Sequence, residues 1–226
     1  MLRAIGVGMS KLCLSYSGIK TFLQCPHRFY RTKVKKDVAD DYSHPATVWG
    51  NEVHKALEDF FIKGKPLGER FNTYQKYADA LEAMPGRKFI ELKLAINEDE
   101  QVVPFFSKEA AYRGILDFLK IEGDTAYLID HKTGKVRPTK QLHFNALLIF
   151  AAFPGVKHIN AAFFWLPADT YTKHRFSRDD IEDLWDEFET AIVGIETAQE
   201  NDKWIRKPSG LCPWCPVKDC EHWGPR

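Results

Sequence analysis

The sequence predicts an α/β fold in which a mixed central sheet carries helices on its faces. Two observations predict it. Apolar residues recur at helical spacing through residues 18–84, and from Phe89 the period drops to two, as strands require. After Pro138, helical and strand patterns alternate as far as residue 199.

Ser17 reads as the cap of a helix beginning near Gly18, with Ile19, Phe22 and Leu23 at helical spacing. Pro26 ends that helix near Gln24 and opens the next, since proline lacks an N–H but fits a first helical turn. Residues 37–45 read as a loop. A helix from Thr47 to Lys63 puts Val53, Leu57, Phe60 and Phe61 on one face, and another covers Asn72 to Met84. From Phe89 to Ile96, Ile90, Leu92 and Leu94 fall on one side and Glu91 and Lys93 on the other. Tyr112 to Ile121 and Ala126 to Asp130 are two further strands around the turn Glu122-Gly123-Asp124. Pro138 opens a helix running to about Phe153. His158 to Leu166 is a fourth strand, and Tyr171 to Phe176 a short fifth. Ser177 with Asp179 and Asp180 caps a long amphipathic helix to Gln199. The tail from Lys207 carries four prolines and should be irregular unless a ligand organises it.

The 226 residues suit one large domain or two small ones, and 44% apolar content is enough for a real core. The net charge of +1 hides segregation. Residues 1–36 hold eight bases and no acid, whereas residues 179–202 hold ten acids and no base. No apolar run approaches the roughly 18 residues of a membrane span, so an intracellular, cytoplasmic location is expected. Arg3 and Lys11 flank a stretch too short for a secretory leader; their acid-free surroundings also fit a transit peptide, and Met9 offers an alternative start.

The strongest chemistry lies between Gly114 and Lys132. Period-2 geometry puts Asp130 and Lys132 on one face, about 7 Å apart along the strand. Asp117, on the hairpin partner, can face Asp130 across the pair. Two carboxylates and a lysine converging on a sheet suit a hard divalent cation, with the lysine serving a water or developing charge. Alone, Asp-x-Lys also fits a solvated ion pair, His54 a structural helical histidine, and Glu91 a solvent-facing strand residue.

Of the five cysteines, Cys212, Cys215 and Cys220 crowd the last fifteen residues. Cys212-Pro-Trp-Cys215 forms a knuckle able to present two thiolates, and Cys25 is the natural fourth ligand, leaving Cys13 over. Zinc and an iron–sulfur cluster both accept such a set.

These features resemble the RecB-type branch of the PD-(D/E)XK nuclease superfamily. The matching residues are Gly50 to His54 (G-x-x-x-H), Glu91, Gly114 to Asp117 (G-x-x-D), Asp130 to Gly134 (D-x-K-T-G) and Gln141. The resemblance implies the restriction-endonuclease-like core. His54, Asp117 and Asp130 would hold Mg²⁺ or Mn²⁺, with the His131 carbonyl as a further ligand. Lys132 would serve the attacking water, Glu91 would be an accessory acid, and Gln141 would hold substrate or the lysine region. Asn145 stands where the family's Q-x-x-x-Y motif has tyrosine, with Phe144 adjacent. Ser15 to Tyr30 resembles the amino-terminal signature of the AddB and CRISPR-associated RecB-like exonucleases. By that likeness Cys25, Cys212, Cys215 and Cys220 would hold a 4Fe–4S cluster, with structural Zn²⁺ the alternative, joining the two ends of the chain.

The expectation is then a single nuclease domain over residues 1–226: a helical and cluster segment at 10–45, a core at 46–200 and a cysteine segment at 201–226. Its partner would be DNA, single-stranded or at duplex ends, contacted by Arg28, Tyr30, Arg31, Lys135, Arg137 and Lys140. An exonuclease of phage, CRISPR or recombination-repair DNA processing is the leading reading. Two alternatives stay open: an end-binding or spacer-adaptation subunit working with a protein partner or as a homo-oligomer, and a non-catalytic zinc-stabilised DNA-binding module.

Overall fold

The computed structural model describes residues 12–224; Arg3, Lys11 and the start at Met9 lie outside them. Five strands form one sheet in chain order: β1 (Arg87–Ile96), β2 (Tyr112–Glu122), β3 (Thr125–Lys132), β4 (His158–Trp165) and β5 (Thr170–Ser177). Neighbours run antiparallel except β3 and β4, which are parallel. A parallel step needs a crossover, and α5 (Gln141–Ala152) supplies it. The remaining helices are α1 (Tyr16–Gln24), α2 (Pro26–Phe29), α3 (Pro45–Lys63), α4 (Gln75–Glu82) and α6 (Ile181–Glu200).

Each face of the sheet buries its own apolar cluster. Ile19 of α1, Phe144 and Leu148 of α5 and Phe188 of α6 pack with Leu94, Leu116 and Leu128. On the other face Val53, Leu57 and Phe61 of α3 and Leu81 of α4 pack with Phe118, Ile129 and Phe164. Helix α5 is apolar nearly all round because it lies between the sheet and α1 and α6.

Several boundaries differ from the sequence reading, each for a local reason. The α1 cap is Ser15 rather than Ser17: its hydroxyl accepts the Gly18 N–H at 3.2 Å. Helix α5 begins at Gln141 rather than Pro138. The Tyr16 hydroxyl accepts the Lys140 N–H at 2.9 Å and the Thr139 hydroxyl at 2.8 Å, holding both residues outside the helix. A 3₁₀ turn over Glu69–Tyr74 replaces the start of the helix expected from Asn72. Lys120, buried on β2, donates to the Glu82 and Met84 carbonyls and fastens the carboxyl end of α4. Ser177 and Asp180 form the expected capping box ahead of α6.

The alternation read along Phe89–Ile96 is broken. Leu92 and Leu94 face the α5 side, but Ile90 packs against the α3 cluster. Between them Glu91 has φ +48°, a region a residue with a Cβ rarely enters. Strand β2 turns over at the matching place, with Leu116 in one cluster and Phe118 in the other. The pairs Ile90↔Phe118 and Leu92↔Leu116 bracket Glu91 and Asp117. Both strands thus exchange faces at an acid.

Candidate active site

Strand register assembles the carboxylates. Glu91 lies opposite Asp117, and extending the β2–β3 pairing one residue past Phe118↔Ile129 sets Asp117 opposite Asp130. The ladder stops there because Asp117 Oδ2 accepts the His131 N–H at 2.8 Å. From α3, His54 Nδ1 approaches Asp117 Oδ2 at 3.4 Å, and His131 Nδ1 lies 3.5 Å from the same oxygen. One ligand atom from each of His54, Asp117 and His131 lies within 4.8 Å of the others.

Burial sets the electrostatics. It pushes the Glu91 carboxyl up to about 7, with the Asp117 charge adding to the effect. Burial and the Asp117 charge also push Asp130 up to about 7, against the pull of Lys132. For Asp117 burial opposes ionisation, but the His131 hydrogen bond and the neighbouring His54 hold it below the ordinary carboxylate range. Burial pushes the His131 ring down, toward the neutral form that offers a lone pair. Polar atoms without partners gather here: the buried His131 Nε2 and Tyr77 hydroxyl make no hydrogen bond among the described residues. This donor set of two imidazoles and several crowded carboxylates fits a divalent cation.

Lys132 closes the row. Its Nζ meets Asp130 Oδ1 as an ion pair at 2.5 Å and donates to Gln141 Oε1 at 2.9 Å. Asp130 is 2% exposed, so the pair is shielded from water on the acid's side. Two motif glycines let helices approach. A Cβ on Gly114 would meet Leu148 Cδ1 at 2.8 Å, and one on Gly50 would meet Thr133 Oγ1 at 3.0 Å. Phe144 is buried against Phe188 and does not supply the missing aromatic; Asn145 is buried beside Gly114.

The cationic surface expected of the amino-terminal segment is largely neutralised. Arg28 pairs with Asp40 at 3.1 Å, and Arg31 pairs with Asp37 at 2.8 Å and Asp219 at 2.9 Å. Tyr30 stacks on Trp204 with ring centres 5.3 Å apart, which occupies one face of its ring. Lys140 pairs with Glu187 at 3.2 Å. Lys135 and Arg137 are exposed, with no ion pair among the described residues. Sequence reasoning missed the His131 side chain, Tyr77 and Lys20, which lines a cavity with Lys132 and Arg137. Nothing in the spacing of Tyr77 and Lys20 marks them, because each arrives from a separate helix, and the D-x-K motif that contains His131 does not show which way its ring turns.

Cys25, Cys212, Cys215 and Cys220 line one cavity, between the start of α2 and the tail. The Ser209 N–H donates to Cys212 Sγ at 3.3 Å. The thiols are not drawn together as tightly as the His54 group, the one metal-ligand triad of that closeness among the described residues. No described helix is long and apolar enough to cross a membrane.

Fold and site together define the class: a nuclease architecture built on a mixed α/β sheet. The family model of the PD-(D/E)XK nuclease superfamily matches residues 13–220, and the chain belongs to that superfamily. It is similar to a solved protein of Eubacterium rectale, provisionally named an exonuclease, at 14% identity and a TM-score of 0.55; the match covers 91% of this chain and 88% of that one. It is also similar to the crystal structure of SSO0001, at 14% identity and a TM-score of 0.50, covering 95% and 88%. At that identity both likenesses speak for the fold alone. Comparison with curated proteins gives no significant match.

Proposed function

We propose that the protein is a divalent-cation-dependent DNA nuclease, acting as an exonuclease on DNA ends or single strands. The observation that carries this is the meeting of His54, Asp117 and His131 within 4.8 Å, beside the Asp130–Lys132 pair. His54, Asp117, Asp130 and His131 would hold Mg²⁺ or Mn²⁺; the histidines favour Mn²⁺, since imidazole is a poor ligand for Mg²⁺. Such a cation would supply Lewis acidity toward the attacking water and the phosphate oxygens. Lys132 would orient the water and stabilise the charge that develops on the phosphate oxygens. Gln141 holds the lysine in place, and Glu91 is an accessory acid at the edge of the row. Of the cations expected to contact DNA, Lys135 and Arg137 have no ion pair among the described residues and would meet the DNA backbone. The exonuclease role is supported by the amino-terminal resemblance.

We further propose that Cys25, Cys212, Cys215 and Cys220 hold a 4Fe–4S cluster, with zinc the competing occupant. Their shared cavity, between the start of α2 and the tail, supports this. The role is structural: linking residues so far apart in the chain limits the unfolded ensemble.

The deciding experiment incubates end-labelled single- and double-stranded DNA with Mg²⁺ or Mn²⁺. Wild type should release short products, and Asp130→Ala and Lys132→Ala should not. Equal degradation by all three proteins removes this mechanism. Release of mononucleotides from one labelled end supports exonuclease action; internal fragments overturn it.

A further inference from the structure

A second feature beside the site belongs to none of the metal ligands. A cavity of about 150 Å³ opens next to Lys132, between α1 and the loop leading to α5. Lys20 and Arg137 line it with Lys132, and no carboxylate does. Lys132 already has Asp130. Lys20 and Arg137 have no ion-pair partner among the described residues. Burial holds Lys20 below the usual lysine range, and the Arg137 and Lys132 charges push it further. Lys20 and Arg137 thus stand beside the paired Lys132 with no carboxylate in the lining, and an anion there would offset their mutual repulsion.

The cavity is built rather than incidental. Tyr16 lies four residues before Lys20 on α1, so both side chains emerge on one helix face. The Tyr16 hydroxyl takes hydrogen bonds from Thr139 and from the Lys140 backbone, pinning the loop that carries Arg137 against that face. The buried Trp165 forms part of the lining, anchored by its own bond to Thr172 at 2.9 Å. Two rigid walls therefore hold the cations around a preformed space.

We infer that this cavity is a phosphate subsite, in which Lys20 and Arg137 grip a backbone phosphate of the DNA strand immediately next to the one being cut. The inference deepens the nuclease reading and rests on it for the position of the cut. Lys132 borders both sites, so a strand held at Lys20 and Arg137 would enter the catalytic row in a fixed register. The subsite draws a cation from the amino-terminal helix into the chemistry of a sheet that begins some seventy residues later.

The test uses the intact protein with Ca²⁺ in place of Mg²⁺, following labelled single-stranded oligonucleotides by fluorescence anisotropy over a range of salt. Lys20→Met and Arg137→Met should each weaken binding about 10-fold and reduce the salt slope by about 0.7. Lys20→Arg should restore most of the loss. Single neutral methylphosphonate linkages are then walked along the strand. One linkage should weaken wild type about 100-fold but Arg137→Met only about 10-fold, because one of the two contacts is already gone. Unchanged slopes, or the same linkage profile in wild type and variant, overturn the subsite. Dependence on a terminal phosphate alone overturns its internal placement. Binding with the expected profile but no cleavage under Mg²⁺ or Mn²⁺ removes the nuclease reading while keeping the subsite.

Discussion

Lys132 Nζ donates a 2.9 Å hydrogen bond to Gln141 Oε1, tying the last residue of β3 to the first residue of α5. The amine is thereby held between a glutamine and the Asp130 carboxylate. Gln141→Ala should lower the cleavage rate about 10- to 100-fold, the worth of one hydrogen bond to a charged group. The loss should fall on kcat, with the melting temperature nearly unchanged. An unaltered kcat would leave Gln141 as no more than a helix start.

Glu91 and Asp130, both near 7 in the fold, hold protons that the unfolded chain releases near pH 4. Their stabilising contribution is complete below about pH 4 and is lost as pH rises through about 7. Asp117 has the opposite sign; its contribution is present above the ordinary carboxylate pKa and lost in acid. Metal-free Glu91→Gln should therefore lose less stability than wild type between about pH 4 and 7. Thermal melts in chelator measure the difference, and parallel losses in the two proteins refute it. Added Mn²⁺ should stabilise wild type more at the higher pH, since cation and protons compete for the same oxygens.

Gly114→Ala should destabilise the fold by about 1–3 kcal/mol, the usual cost of overpacking a tight contact. Its Cβ would push Leu148 from 2.8 Å, and α5 would carry Gln141 with it, so cleavage should fall too. Gly134→Ala is the control, as no atom of the described residues lies within 4 Å of its added carbon. Urea melts of the two variants should separate clearly; matching midpoints would mean that α5 yields without cost.

Cys25→Ser and Cys215→Ser should lose bound iron and unfold at lower temperature, whereas Cys13→Ser should retain both. Elemental analysis of anaerobically purified protein, with melts before and after chelation, provides the check. Stoichiometric zinc without iron would replace the cluster assignment, and metal-free wild type would end it.

Some of this was legible from spacing. Asp130 and Lys132 sit two residues apart on one strand, and period-2 geometry alone implies that they share a face. Glu91 reads from the sequence as one member of a regular strand. Its positive φ arises only against β2, so the exchange of faces at Glu91 and Asp117 could not be seen in either segment. Arg28 and Arg31 read as a basic front because acids are missing from residues 1–36. The acids that neutralise them lie just beyond, at Asp37 and Asp40, and at Asp219 far along the chain.

The sequence by itself determined the mixed α/β sheet, the order of the acids and lysine along it, and the cysteines toward the two ends of the chain. Those follow from local periodicity and spacing, which are properties of neighbours in the chain. Tertiary structure decided the rest: that the His131 ring turns toward Asp117 beside His54, that Tyr16 clamps the loop carrying Arg137, and that Lys20 stands with Lys132 at one cavity. Each joins residues from separate elements. Such meetings depend on how helices seat on the sheet, and packing sets that only once the whole core has formed.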